Sequence, residues 1–212
     1  MKILFIGNSY TFYNDMPKLL EALLIENGYD ASVDSVTKGG RKLYANLEIG
    51  DEYNTRISEL ISKNSYDALF LQEQSYFPLV DEERFEYAVA HLKKLVGAKR
   101  TLLYATWGRK AGCPLLDELS LSSSEMTKAL HSAYSKTAKA TGCELSPVGL
   151  AFDSICDKLE LYAPDLSHPS YIGSALAAIV HYKSLTSALP KDLSSLGLDN
   201  EALDTILSAF KQ

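Results

Sequence analysis

Short apolar runs alternate along this chain with longer amphipathic ones, and few folds accommodate that rhythm. Residues 2–7 (Lys-Ile-Leu-Phe-Ile-Gly), Ala68-Leu69-Phe70-Leu71 and Thr101-Leu102-Leu103-Tyr104-Ala105 carry almost no polar side chain. That is the pattern of strands buried on both faces. Ala31 to Val36 alternates more weakly, and Glu144-Leu145 is a short fifth strand candidate. Between these runs, residues 16–27 set Leu19, Leu20, Leu23 and Leu24 on one helical face, with Gly28 where a C-cap belongs. Further helices are expected over 51–63, from Asp81 to Val96, and over 122–141, 171–188 and 198–210. Asp81-Glu82-Glu83 suits the positive end of a helix dipole, which accounts for that acidic run. Strand–helix alternation of this kind implies an α/β fold, a mostly parallel sheet of about five strands covered by helices on both faces. In 212 residues there is no repeat and no Pro/Gly/Ser linker, so one domain over 1–212 is expected.

Composition removes several function classes. Twenty-one Lys and Arg stand against 27 Asp and Glu, a formal charge of −6. The basic residues fall in scattered pairs (Lys93-Lys94, Lys99-Arg100, Arg109-Lys110). A binder of duplex nucleic acid or anionic membrane needs clustered cations to displace counterions, so neither partner is expected. Cys113, Cys143 and Cys156 are odd in number and lack metal-ligand spacing, the usage of reduced thiols in a cytoplasmic protein. The apolar N-terminal run is too short for a secretory signal, and no run approaches the ~18 residues of a membrane span. A cytoplasmic location is therefore expected.

In a parallel sheet, ligands sit beyond the carboxyl ends of the strands, so chemistry is sought there. Ser9 lies directly after the first strand, in Gly7-Asn8-Ser9-Tyr10, where its hydroxyl stands at the sheet edge; a serine at that place is also an ordinary helix cap. Asp165-Leu166-Ser167-His168-Pro169 precedes a helix that Pro169 is suited to start. Its spacing lets Asp165 reach Nδ1 of His168, leaving Nε2 free to take a proton from a serine. His91, His131 and His181 fall inside expected helices and read as structural. Oxyanion donors can come from the backbone of Gly39-Gly40 and from the amides of Gln72 and Gln74, though a plain turn and a solvated strand end explain these equally. Trp107, followed by Gly108-Arg109, either lines a substrate cleft or packs under a loop. Arg109 beside it can meet a polar or anionic group. Tyr10, Phe12 and Tyr13 either wall the site or pack in the core.

Taken together, these blocks resemble the SGNH/GDSL hydrolase superfamily across most of the chain. Gly7-Asn8-Ser9 stands where family members carry Gly-Asp-Ser, Gly40 matches the glycine after the second strand, and Asp165-Leu166-Ser167-His168 matches the terminal Asp-x-x-His. The family's Gly-x-Asn-Asp block is replaced by Gln72-Glu73-Gln74-Ser75. Strict register puts Gln74 in the place of the oxyanion asparagine; similarity to a divergent branch with Leu-Gln-x-x-Ser blocks favours Gln72. The resemblance implies a three-layer, flavodoxin-like α/β/α fold and a serine esterase without metal or organic cofactor. Its implied substrate is a small-molecule ester of a short acyl group, with O-acetylated carbohydrate a plausible natural class. The implied roles are Ser9 as nucleophile, His168 as base, Asp165 as its partner, and Ser9, Gly40 and Gln72 as oxyanion donors. A phosphate-binding module is the rival from the strand–loop–helix start, but neither GxGxxG nor GxxxxGK[ST] spacing is present. A non-catalytic binder of the same fold is the other alternative.

Overall fold

The computed structural model describes residues 1–211. From the N-terminus, β1 (Lys2–Gly7) leads through α1 (Ser9–Phe12) and a 3-10 turn into α2 (Met16–Glu26), then β2 (Ser32–Thr37) and α3 (Glu52–Lys63). Next come β3 (Ala68–Leu71), α4 (Phe77–Val80), α5 (Glu82–Val96) and β4 (Arg100–Tyr104). The chain closes with α6 (Pro114–Leu119), α7 (Ser123–Thr141), β5 (Glu144–Ser146), α8 (Val148–Ile155), α9 (Tyr171–Thr186) and α10 (Asn200–Ser208).

All five strands run parallel, in the order β2-β1-β3-β4-β5. Alternation along β1 separates two cores. Ile3 and Phe5 pack with Phe70, Leu102 and Tyr104 against α2, α8 and α9, whereas Leu4 and Ile6 join Leu69, Leu71 and Leu103 against α3, α5 and α7. This is the expected three-layer α/β/α architecture. The chain winds from β1 to β2 on one side and to β3 on the other, so the crevice between the carboxyl ends of β1 and β3 is the topological switch point. Among the described residues no helix is long and apolar enough to cross a membrane.

The helix starts follow from their caps. Asp51 accepts from the N–H groups of Tyr53 and Asn54, Asp81 accepts from Arg84 N–H at 3.0 Å, and Ser122 forms a capping box with Glu125. The acidic run at Asp81 is thus part of a helix start. Pro169 does not begin α9. Ser170 is its N-cap, accepting from Gly173 N–H at 3.1 Å, and Pro169 bridges to Tyr162 instead. Helix α8 has no counterpart in the periodicity analysis. It is short and mostly apolar, and Gly149 interrupts its pattern because a Cβ there would meet the Thr106 carbonyl oxygen at 2.1 Å. The three cysteines are half-buried and unpaired.

Gly7, the last residue of β1, shows how tightly the strand end is packed. A Cβ at this position would lie 2.5 Å from Thr11 Oγ1 and 2.8 Å from Gln72 Oε1. Gly7→Ala is therefore expected to destabilise the fold by ~1–3 kcal/mol, the range for overpacking a filled interior. Urea denaturation measures this, and an unchanged midpoint would show that the strand end has slack.

Candidate active site

Ser9 opens the short helix α1 immediately beyond β1, and only 9% of it is exposed. Asn8 holds the turn from both sides of its amide. Its Oδ1 accepts from Tyr10 N–H at 3.2 Å, and its Nδ2 donates to the Arg41 carbonyl at 3.1 Å. An aspartate could accept the first bond but not donate the second. Asparagine in this place therefore ties the serine turn to the loop that carries Gly39 and Gly40.

The second component arrives from the far end of the chain. Asp165 folds over its own turn: Oδ1 accepts from Ser167 N–H at 3.0 Å and His168 N–H at 2.9 Å, while Oδ2 meets His168 Nδ1. Leu166 takes a left-handed φ of 61° to close the loop. Burial pushes the Asp165 carboxyl upward, but the bonds from the His168 ring and the two backbone N–H groups outweigh it and hold the group below its ordinary value. With Nδ1–H directed at Asp165, Nε2 presents its lone pair to Ser9 Oγ, 2.8 Å away. Tyr13 stacks on the imidazole with centroids 4.3 Å apart and planes 8° apart, and Tyr10 meets it edge-on. Asn14, at φ 53°, donates to the Pro169 carbonyl at 3.2 Å and braces the same turn.

Ser9 and His168 open onto a cavity of about 470 Å³ that is also lined by Phe12, Tyr13, Gly39, Gly40, Gln74, Ser75 and Arg109. This volume suits a small molecule. Gly40 sits at φ +67°, a conformation that favours glycine. Neither Ser9 N–H nor Gly40 N–H is engaged by another described residue. Both backbone donors anticipated for an oxyanion are thus unoccupied.

Two expectations need correction. Gln72 is fully buried and does not line the cavity. Its Oε1 accepts from Asn8 N–H and Thr11 Oγ1–H, both at 2.9 Å, and its Nε2 donates to the Glu73 carbonyl. The amide is spent on holding strand ends, and because Asn8 N–H can only donate, it cannot be flipped. Gln74 is the glutamine that faces the cavity, with Nε2 on Ser75 Oγ at 3.2 Å and a second N–H to offer. Trp107 is likewise fully buried. Its indole stacks between Tyr10 (4.9 Å) and Phe152 (4.1 Å), and Nε1 donates to the Ser167 carbonyl at 3.1 Å. It props the histidine turn from beneath and lines no cleft.

A protein described as a candidate SGNH hydrolase from Slackia heliotrinireducens is 32% identical, with a TM-score of 0.78 over 87% of this chain and 98% of that one. The chain belongs to the SGNH hydrolase family. A DUF4886 family protein from Bacteroides uniformis shares the fold at 17% identity, with a TM-score of 0.79 over 100% of this chain and 93% of its own. An acetyl xylan esterase does so at 16% identity and a TM-score of 0.62, over 87% and 100% of the two chains. No family model matches the sequence, and no curated protein matches it.

Within this SGNH hydrolase, Glu73 is the residue that sequence reasoning passed over. Its side chain is fully buried. Its carboxylate accepts from Leu43 N–H at 3.0 and 3.2 Å and from Gln74 N–H at 2.6 Å, so it joins the glycine loop to the segment carrying Gln74. A glutamate between two glutamines at a strand end gives no sequence signal of burial. Burial outweighs these bonds and raises the carboxyl to about 7. Between about 4.5 and 7 the folded state then keeps a proton that the unfolded chain releases. Stability from this group is complete below that window and is lost as pH rises through it, by about 3 kcal/mol. Relative to wild type, Glu73→Gln should lack this component in denaturation midpoints taken from pH 4.5 to 7.5. Parallel pH curves for the two proteins would show that Glu73 does not titrate there.

Proposed function

We propose that this SGNH hydrolase is a serine esterase that cleaves small carboxylic esters through an acyl-enzyme. The observation that carries the reading is the chain of contacts Ser9 Oγ–His168 Nε2 (2.8 Å) and His168 Nδ1–Asp165 Oδ2 at the mouth of a small cavity. Ser9 Oγ attacks the ester carbonyl carbon as His168 Nε2 takes the hydroxyl proton, and Asp165 stabilises the imidazolium that results. The carbonyl oxygen becomes an oxyanion, received by the N–H groups of Ser9 and Gly40 and by the amide of Gln74. On collapse, the bond to the alcohol oxygen breaks and the leaving alcohol takes the proton from His168. Water, deprotonated by His168, then attacks the acyl carbon, releasing the carboxylic acid and restoring the proton to Ser9 Oγ. The cycle uses no cofactor.

A cavity of this size accommodates a short acyl group. An acetyl xylan esterase is among the proteins that share the fold, which supports O-acetylated carbohydrate as the natural class.

A fluorophosphonate tests nucleophile and oxyanion donors together. Peptide mapping should find one adduct, on Ser9, and hydrolysis of 4-nitrophenyl acetate should vanish in Ser9→Ala. Gln74→Ala should slow labelling by up to ~10²–10³, the effect of losing an oxyanion donor. Gln72→Ala should act mainly through stability, lowering the melting temperature. Labelling of wild type no faster than of Ser9→Ala would end the esterase reading.

A further inference from the structure

Arg109 stands apart from every other arginine of the chain. Of five arginines, Arg41 pairs with Asp51, Arg56 with Glu59, Arg84 with Asp81 and Arg100 with Glu144; Arg109 has no carboxylate within 4.0 Å among the described residues. It is nevertheless half-buried and lines the Ser9 cavity. Its Nη1 donates to Tyr10 Oη at 2.6 Å and its Nη2 to Ser75 Oγ at 2.8 Å, while Nε is enclosed without a partner. Because a guanidinium only donates, Tyr10 Oη accepts from it, and the same hydroxyl is hydrogen-bonded to Ser167 Oγ, 2.9 Å away. The cation is therefore held in place by neutral oxygens, with no carboxylate in contact.

The surroundings reinforce this. No Asp or Glu lines the cavity. Lys38 and Lys42, which have no carboxylate within 4.0 Å among the described residues, flank the Gly39-Gly40 loop, where Arg41 is paired with Asp51. The carboxylate closest to the reacting groups, Asp165, is turned onto the His168 ring and two backbone N–H groups. A partly desolvated guanidinium without a carboxylate in contact favours an anionic ligand, and Nη1 and Nη2 each keep one N–H beyond the bonds to Tyr10 and Ser75.

We infer that the ester substrate carries a carboxylate, which Arg109 binds beside the Ser9–His168 pair. This rests on the esterase reading and narrows its substrate class to esters of acidic molecules. The charge can sit on the alcohol portion or on the acyl portion, and two matched pairs separate these. For the alcohol side, 4-acetoxybenzoate is compared with its methyl ester. For the acyl side, mono-4-nitrophenyl glutarate is compared with 4-nitrophenyl valerate. Each kcat/KM is divided by the ester's own rate with hydroxide.

Wild type should favour the charged member of one pair by about 10- to 100-fold, the scale of one charge-assisted contact. In Arg109→Gln that ratio should fall towards one, and Arg109→Lys should keep part of it, having the charge without the fork. The ratio is the readout because Arg109 also braces Tyr10 and Ser75, so a general loss lowers both members together. A ratio at or below one in both pairs, or a ratio unchanged in Arg109→Gln, overturns the inference while turnover by Ser9 leaves the esterase reading intact. Titration calorimetry with Ser9→Ala supplies the reverse separation. Tighter binding of the charged ester, lost on adding Arg109→Gln, would uphold the anion site even if wild type hydrolysed none of the four. Absence of both binding preference and turnover would remove both readings.

Discussion

The buried amide of Gln72 is the tie on which the site's geometry depends. It takes the N–H of Asn8 and the hydroxyl of Thr11, joining the end of β1 to the end of β3 across the switch point of the sheet. A buried amide left without these partners costs about 1–3 kcal/mol each way, so the two strand ends are held in one arrangement. Gly7 must lack a side chain because this amide and Thr11 occupy the space a Cβ would need. Ser9 is presented at the sheet edge as a consequence, since the turn that carries it is anchored one residue before.

The histidine turn depends on a different kind of support. Its histidine lies 159 positions from Ser9, and no strand carries the turn's residues. Their placement comes from side chains packed beneath and beside the loop: Trp107 through the Ser167 carbonyl, Asn14 through Pro169, and Tyr13 against the imidazole face. Pre-ordering of this sort keeps the imidazole in one rotamer before any ligand arrives, which is where much of a site's chemical advantage lies. Tyr10 links the two halves, lying against Trp107 and carrying the hydroxyl that joins Arg109 to Ser167.

Charge is distributed unevenly around this frame. Glu73 sits deep, accepting only backbone N–H groups, and serves to hold the glycine loop against the segment of Gln74. Arg109 sits at the cavity wall with neutral partners alone. A buried acid thus lies behind the donors and a guanidinium at the wall of the opening.

The layers of the fold and the identity of the residues that meet were legible in the chain alone. Short apolar runs set between amphipathic helices read as strands covered on both sides, and strands so separated pair in parallel, so Ser9 and the Gln72–Ser75 segment share one edge of the sheet. The three-residue spacing of Asp165 and His168 was equally legible, because an acid can reach a ring that close along any tight turn. Three-dimensional packing was needed to place Gln74 and not Gln72 at the cavity, to set Trp107 beneath the histidine turn and outside the cleft, to form α8, and to bury Glu73. For the three side chains the reason is the same. Periodicity assigns a face only while the chain stays within a regular element. Beyond the last ladder bond of β3 or β4, a side chain's direction depends on partners that are remote in sequence, as Gln72 depends on Asn8 and Thr11, and Trp107 on Ser167.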